Sequence, residues 1–371
     1  MVTKYLYLDD ANQKEIEPFI QSASRSKKIE IDLKHPAMFN DNFDSLIKSL
    51  SKYAGIILDW RLDEVVVSRA GKRYPFRAGA LAQELRSRAS EGAILPMPII
   101  LWSATQKFQS TFQNDYTAQD LFDRKYRKEE VADFGNRIAV ELDALASGYE
   151  EIYRSRSSRH SEGICELLRC GELAEYVDIR VRERFVSIQP SVYEIAHFIL
   201  DELIDRPGLL IEEERLAARL GVNLTLSSGW GNLRLALEPF QYKGPFSSAW
   251  QRWWNYGIAE QWWFNTINSE YPLSALTATE RIEIIAKVTG INDLVPAMPL
   301  QQGYHERFYT ICEETKLPLD PIDGVIIDES QPEPWQERRY ISIDVALRRK
   351  SQMFRPHPLE KDRLKALAQN G

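Results

Sequence analysis

The sequence predicts a doubly wound α/β domain with a five-stranded parallel sheet, followed by a mostly α-helical domain. Short apolar strand patterns and helical patterns alternate five times before residue 149, which is typical of a parallel sheet covered by helices on both faces. From about residue 163, apolar residues recur at the spacing of three and four that indicates helices. A chain of 371 residues has room for two such domains. We therefore expect an α/β domain in 1–148, a linker in 149–162 and a helical domain in 163–371.

The predicted strands of the first domain are short apolar runs. The third is the clearest, because Ile56, Ile57 and Leu58 form an unbroken aliphatic run of the kind found in strands buried on both faces. The five predicted strands cover 4–8, 29–33, 55–59, 98–102 and, more weakly, 120–125. The helices between and after them cover about 12–24, 43–50, 77–88 and 129–149.

Composition restricts the class of protein. Hydrophobic residues make up 44% of the chain and charged residues 27%, which is ordinary for a globular protein with a core. No apolar run approaches the ~20 residues that cross a bilayer, and the first residues do not resemble a signal peptide, so we expect a cytoplasmic protein without a membrane partner. Three cysteines without CxxC spacing indicate buried thiols rather than disulfides or a zinc site.

The net charge of −7 is unevenly distributed. Residues 1–147 hold 21 basic and 21 acidic side chains, and residues 335–371 hold 9 basic and 4 acidic ones, so 148–334 carries −12. An acidic middle of the chain is unfavourable for binding the phosphate backbone of nucleic acids. Nucleic acid is therefore not the expected partner.

Polar side chains stand at the ends of four predicted strands. Asp9 and Asp10 follow the first strand, and Asp59 ends the third. Ser103 follows the fourth strand and Lys125 ends the fifth. The carboxyl ends of parallel strands meet at the edge of the sheet where α/β proteins bind ligands. Three carboxylates at one place favour a divalent cation such as Mg²⁺, and a hydroxyl and an ammonium group opposite can receive the oxygens of a phosphoryl group.

This set of residues resembles the receiver domain of two-component response regulators, over about residues 1–148. That family carries an acidic pair after the first strand, a phospho-accepting aspartate after the third, Ser/Thr-Ala after the fourth and a lysine after the fifth. The resemblance implies a flavodoxin-like fold in which Asp59 is phosphorylated and Ser103 and Lys125 bind the phosphoryl oxygens. It implies the following Mg²⁺ ligands: Asp9, Asp10, Asp59 and the backbone carbonyl of Arg61.

Other positions match or depart from the family pattern. Phe122, three residues before Lys125, falls at the aromatic switch position of the family. Lys125 is followed by Tyr126, where the family usually has proline, and the loop after Asp59 lacks the usual Met-Pro. Residues 65–76 make that loop unusually long, and their β-branched residues predict a hairpin over the acidic pocket or against a partner. The alternative to a working phosphoacceptor is therefore a receiver that is not phosphorylated and serves as a docking module.

A short stretch of the helical part resembles half of a helix-turn-helix. It is the run Leu216 to Val222, inside a region (191–240) that would read DNA in a transcription factor. The following helix, Trp230 to Glu238, has one basic residue and many apolar ones, whereas reading a groove needs several exposed polar side chains. We favour packing helices here, with DNA binding as the alternative.

Five of the nine tryptophans fall within 250–263. Adjacent tryptophans point about 100° apart on a helix, so they cannot all share one core-facing stripe. Two interpretations stay open: a surface for a protein partner, or a helix buried on most sides. Other chemical groups indicate structural roles, namely the turn-forming carboxylates of 318–329, His197, His305 and Cys312.

The leading hypothesis is a response-regulator-like signalling protein. A histidine kinase or a phosphotransfer protein would donate a phosphoryl group to Asp59 in the presence of Mg²⁺. The helical domain would then act through protein–protein interaction, by segment 250–263 or by forming a homodimer. The alternatives are a DNA-binding regulator that uses 191–240, and a receiver fused to an effector whose active site the sequence does not reveal. No enzymatic output beyond phosphoryl acceptance is predicted.

Overall fold

The computed structural model describes residues 2–39, 43–60, 62, 77–104, 119–155, 163–348, 351 and 353–370. The chain forms two compact units. Unit 1 comprises Met1–Leu167, Arg184–Leu200 and Gly244–Trp250, and unit 2 comprises Leu168–Glu183, Asp201–Lys243 and Gln251–Gly371. Within the described ranges, no helix has the length and apolar character needed to cross a membrane. The predicted hairpin of residues 65–76 lies outside the described residues.

Unit 1 contains a five-stranded parallel sheet, as predicted. The strands are β1 (Thr3–Leu8), β2 (Ile29–Lys34), β3 (Gly55–Asp59), β4 (Ile99–Ser103) and β5 (Arg124–Arg127). Their order in the sheet is β2-β1-β3-β4-β5, and every neighbouring pair is parallel. This is the flavodoxin-like order, in which the chain reverses direction across the sheet between β1 and β3. The apolar runs of β3 and β4 are buried along their whole length, since helices cover both faces of the sheet.

The α-helices beside the sheet, among the residues that the structure describes, are α1 (Gln13–Ser24), α2 (Phe43–Leu50), α3 (Ala78–Ser90) and α4 (Lys128–Ser155). One core lies between β1, β3, β4 and the apolar faces of α2 and α3, and it includes Leu58, Leu81 and Leu101. On the other side, α1 packs closely on α4. A Cβ atom on Gly135 would lie 2.3 Å from the Ser22 hydroxyl, so the two helices approach each other across a residue without a side chain.

The fifth strand differs from its prediction. It spans Arg124–Arg127 rather than 120–125, and the apolar pair Leu121 and Phe122 precedes it in a 3₁₀ turn and a loop. Phe122 is 3% exposed and packs into the core. An edge strand needs no continuous apolar run, and charged residues on it prevent pairing with other chains. The apolar pattern therefore identified the apolar pair Leu121 and Phe122 but missed the charged strand that follows them in the sequence.

The predicted linker begins inside a helix. Residues 149–155 belong to α4, and Tyr149 and Ile152 are buried, while 156–162 lie outside the described residues. The basic composition of this segment indicated a linker, but every third or fourth residue up to Ile152 is apolar enough to pack. The domain limits at 148 and 163 stay predictions.

Two later segments belong to unit 1 because they pack against its helices. Arg86 of α3 lies 2.8 Å from Asp123, and its guanidinium carbon lies 3.9 Å above the ring of Tyr193, in α7 (Val192–His197). The ring of Phe246 occupies the space beside Gly148, where a Cβ atom would be 2.3 Å away. These contacts join residues far apart in sequence, which is why composition did not reveal them.

Residues 163–371 are mostly helical, as predicted. The other α-helices in the described part of the chain are α5 (Gly163–Leu168), α6 (Ile179–Ile188), α8 (Glu213–Leu220), α9 (Trp230–Ala236), α10 (Ala278–Thr289), α11 (Ile343–Leu347) and α12 (Lys361–Asn370). Two π-helical segments span Phe198–Ile204 and Gly257–Thr266. The short antiparallel strand pairs are β6 (Leu210–Ile211) with β7 (Trp253–Trp254), β8 (Thr310–Ile311) with β9 (Pro318–Leu319), and β10 (Gly324–Ile326) with β11 (Tyr340–Ser342). A capping box of Thr277 and Glu280 opens α10.

The tryptophan-rich segment is part of the core of unit 2. Trp253, Trp254, Trp262 and Trp263 are each 3% exposed or less. Trp253, Trp262 and Trp263 share one core cluster with apolar residues of α8, α9 and α10. The interpretation of these four residues as a partner surface was therefore wrong, because β7 and a π-helix, rather than one α-helix, carry them. Trp250 belongs to unit 1, is half-buried, and lies under the Arg124 guanidinium at 4.7 Å.

Candidate phosphoacceptor and cation site

Three buried carboxylates lie together at the carboxyl ends of β1 and β3. Because Leu8 pairs with Leu58 in the parallel register, Asp9 and Asp59 follow as neighbours at the same edge of the sheet. Asp9, Asp10 and Asp59 are 2%, 5% and 1% exposed, and each offers a ligand oxygen within 4.8 Å of the others. The structure thus brings together the three aspartates that the sequence predicted.

The ammonium group at this site belongs to Lys128, the first residue of α4. Its Nζ lies 2.6 Å from Asp9 Oδ2 and 2.7 Å from Asp59 Oδ1. Burial disfavours the charged form of this lysine, but the carboxylates of Asp59 and Asp9 outweigh burial and raise its pKa. Lys128 is therefore positively charged, and its charge compensates part of the negative charge of the buried Asp9 and Asp59 carboxylates.

Lys125, which the sequence assigned to this role, lies inside β5 opposite Leu101. The prediction of the ammonium group was wrong by three positions, because the strand begins and ends later than its apolar residues indicated. The position three residues before Lys128 is Lys125, so Phe122 does not occupy the aromatic switch position either. Glu129 follows Lys128, so the departure from the proline of the family persists.

A tyrosine that the sequence reasoning missed completes the surroundings of Asp9. The Tyr7 hydroxyl donates to Asp9 Oδ2 at 2.5 Å, and the backbone N–H of Ala11 donates to Asp9 Oδ1 at 2.8 Å. Burial raises the pKa of Tyr7 well above its usual value, and the carboxylates of Asp9 and Asp59 raise it further. A signal was present in the sequence, since side chains two apart on a strand point to the same face, and Tyr7 precedes Asp9 by two.

Ser103 ends β4 at the same edge of the sheet, as predicted. Its side chain is fully buried, and among the described residues its hydroxyl has no hydrogen-bond partner. Buried hydroxyls are normally paired, so this group is available to a ligand oxygen. The preceding residue, Trp102, is the register partner of Asp59, and its ring makes an edge contact with Tyr7 at 5.1 Å between centroids. The remaining predicted ligand, the carbonyl of Arg61, lies outside the described residues.

The donor set fits a hard divalent cation. All three ligand groups are carboxylates, and Mg²⁺ prefers oxygen ligands and retains several waters. The residues that would hold it are Asp9, Asp10 and Asp59. Ser103 and Lys128 lie at the same edge of the sheet. Their hydroxyl and ammonium groups can donate hydrogen bonds to phosphoryl oxygens.

The helix-turn-helix candidate in unit 2 buries several side chains that a DNA-reading motif would expose. Trp230 and Leu233 of α9 are buried. Arg215 and Arg219 of α8 are fully buried, and Arg215 lies 2.7 Å from Glu313. Since basic side chains must reach phosphates to bind DNA, these two arginines cannot serve that purpose.

The other candidate groups have structural positions. Asp320 and Asp323 flank a 3₁₀ turn that leads into β10, as the turn dipeptides predicted. His305 Nδ1 lies 3.0 Å from Asp323. The three cysteines are buried and form no disulfide.

Comparison with known proteins leaves the family open. No family model matches the chain, and no curated protein matches it in sequence. A solved structure of the RcsB response regulator of Salmonella typhimurium is similar at 8% identity and a TM-score of 0.22, over 52% of this chain and 97% of that chain. A TM-score of 0.22 is too low to support a conclusion about fold or function. The receiver-like character of unit 1 follows from its strand order and from the position of its acidic cluster.

Proposed function

We propose that this chain is a response-regulator-like signalling protein that accepts a phosphoryl group on Asp59. The observation that carries the proposal is the position of Lys128 Nζ, 2.6 and 2.7 Å from two of three clustered, buried carboxylates. A purely structural edge of a sheet has no reason to bury three acids and one base together, because each buried ion costs several kcal/mol of desolvation, on the order given for ions in protein interiors.

Each residue of the site has a role in this reaction. An oxygen of Asp59 attacks the phosphorus of a phosphohistidine, an O–P bond forms, and the P–N bond to the donor breaks. The hydroxyl of Ser103 and the ammonium of Lys128 donate hydrogen bonds to the transferred oxygens. Bound Mg²⁺ would neutralise charge that develops on the phosphoryl group. The donor is a histidine kinase or a phosphotransfer protein.

The output is proposed to be protein–protein interaction through the helical part of the chain, including a possible homodimer. Charge supports this over DNA binding, since 148–334 carries −12 and the arginines of α8 are buried. The interacting surface excludes Trp253, Trp254, Trp262 and Trp263, because these side chains are in the core.

One observation favours a second candidate, a receiver that is never phosphorylated. Asp59 is only 1% exposed and already paired with Lys128, so one oxygen of the proposed acceptor is engaged without a phosphoryl group. In that case, the unit serves as a fixed docking module.

Incubation with acetyl phosphate and Mg²⁺, followed by intact mass spectrometry, distinguishes the two. We expect the wild-type chain to gain the mass of one phosphoryl group and Asp59→Asn to gain none. Asp133→Asn, which removes an exposed carboxylate of α4, is the matched control and should be labelled like the wild type. Equal labelling of wild type and Asp59→Asn, or labelling of neither, would refute phosphorylation at this residue.

A further inference from the structure

Tyr7 makes a contact whose consequence goes beyond the proposed reaction. Its side chain is fully buried in β1, and its hydroxyl donates to Asp9 Oδ2 at 2.5 Å. The same oxygen accepts from Lys128 Nζ at 2.6 Å, and the other oxygen of Asp9 accepts from the N–H of Ala11 at 2.8 Å. Three donors therefore converge on one carboxylate.

The number of donors limits what Asp9 can still bind. An ionised carboxylate has about four lone-pair sites on its two oxygens. Three of them accept hydrogen bonds from Tyr7, Lys128 and Ala11, so one direction remains for a cation. The orientation of the carboxylate plane thus decides whether that direction points toward Asp10 and Asp59.

The hydroxyl of Tyr7 is itself held rigidly. β1 is hydrogen-bonded to β2 on one side and to β3 on the other, with Tyr7 opposite Leu33 and Ile57. The tyrosine ring also packs edge-on against Trp102, at 5.1 Å and 69°. A ring fixed by the strand and by a second ring cannot follow the carboxylate if it rotates, so the hydrogen bond selects one orientation of Asp9.

We propose that Tyr7 is a positioning residue that orients the Asp9 carboxylate and thereby sets the affinity of the acidic cluster for divalent cations. This inference rests on the proposed function only in assuming that the cluster binds a cation. Groups that hydrogen-bond metal ligands typically change the affinity for the metal by about 10–100-fold when removed. Tyr7 acts through Asp9 and does not itself contact the cation.

The chain offers a matched control on the same strand. Tyr5 lies two residues before Tyr7, on the same face of β1, and is also fully buried. Its hydroxyl donates to the backbone carbonyl of Leu142 at 2.7 Å, away from the acidic cluster. Tyr5→Phe and Tyr7→Phe therefore remove the same group from equally buried tyrosines and keep both rings.

The test is titration of the full chain with Mn²⁺, with free Mn²⁺ measured by electron paramagnetic resonance. We expect Tyr7→Phe to weaken Mn²⁺ binding at least about tenfold and Tyr5→Phe to leave it within about twofold of the wild type. In an Asp9→Asn background, Tyr7→Phe should change the affinity no further, because the carboxylate through which it acts is gone.

The outcomes distinguish a failure of the positioning role of Tyr7 from a failure of the proposed function. If the wild type binds no Mn²⁺, the cation site of the proposed function fails, and the role of Tyr7 fails with it. If the wild type binds Mn²⁺ and both tyrosine variants bind it equally well, the cation site stands and the positioning role is overturned. An undiminished effect of Tyr7→Phe in the Asp9→Asn background would also overturn it, since Tyr7 would then act by another route.

Discussion

Replacing Lys128 by methionine removes one ammonium group and keeps a side chain of similar length. Two buried carboxylates, Asp9 and Asp59, then lose the cation that lies 2.6 and 2.7 Å away. Lys125→Met is the matched control, because it removes the lysine that the sequence pattern alone assigned to the site. Comparison of the two variants tests which lysine compensates the acidic cluster.

The magnitude follows from the distances. At an effective dielectric constant of about 20, each contact of roughly 2.7 Å is worth about 6 kcal/mol of Coulomb attraction. Desolvation of the buried ions offsets much of this, and breaking a buried pair by removing one partner costs about 3–5 kcal/mol. We expect a loss in this range for Lys128→Met and below about 1 kcal/mol for the half-buried Lys125.

Hydrogen exchange of the full chain with a chelator present measures the effect locally, so that unfolding of unit 2 does not obscure it. Amides of β1 and β3 should lose about two to four orders of magnitude of protection in Lys128→Met, since about 1.4 kcal/mol corresponds to a factor of ten. Added Mg²⁺ should restore part of this protection by replacing the lost positive charge. A larger loss in Lys125→Met than in Lys128→Met would show that the assignment of the ammonium group is wrong.

Two further predictions concern packing and pH. Gly135→Ala should lower the free energy of unfolding by about 1–3 kcal/mol, because the new Cβ meets Ser22 at 2.3 Å. Gly231→Ala, which has open space around it, should instead stabilise α9 by about 0.5–1 kcal/mol. Hydrogen exchange in α4 and α9 measures both effects, and equal effects would contradict the close approach of α1 and α4. Burial opposes the ionised form of Asp32, but hydrogen bonds from Tyr53 and Lys34 outweigh it and lower its pKa, so its contribution to stability is complete above pH ~4 and is lost as pH falls through the lowered pKa. In urea unfolding, Asp32→Asn should therefore be less stable than wild type by about 1 kcal/mol at pH 7, and the difference should shrink as the pH falls below ~4. A variant as stable as the wild type at pH 7 would contradict the lowered pKa.

Local sequence patterns were sufficient where one short segment decides its own structure. The aliphatic run of 56–58 could only be a buried strand, and the predicted bounds of β3 agree with the structure. Asp9, Asp10 and Asp59 were found because the end of each strand is visible as a change from apolar to acidic residues.

Sequence patterns gave wrong or ambiguous predictions where the position of a residue depends on partners from distant parts of the sequence. The strand Arg124–Arg127 is charged, and pairing with β4 at the edge of the sheet defines it rather than apolar residues of its own. The lysine that pairs with Asp9 and Asp59 was therefore assigned three positions too early. The tryptophans of 253–263 were ambiguous because their burial depends on α8, α9 and α10, which come from other parts of the chain.

The sequence by itself determined the class of fold of the first third, the four best strands and the three acids, because hydrophobic periodicity and strand ends are local properties. Only the tertiary structure decided which lysine pairs with Asp9 and Asp59, and that residues 184–200 and 244–250 belong to unit 1. The physical reason is that ion pairs and hydrogen bonds of a few ångströms require the register between strands, and the sequence of one strand does not contain the register of its neighbour.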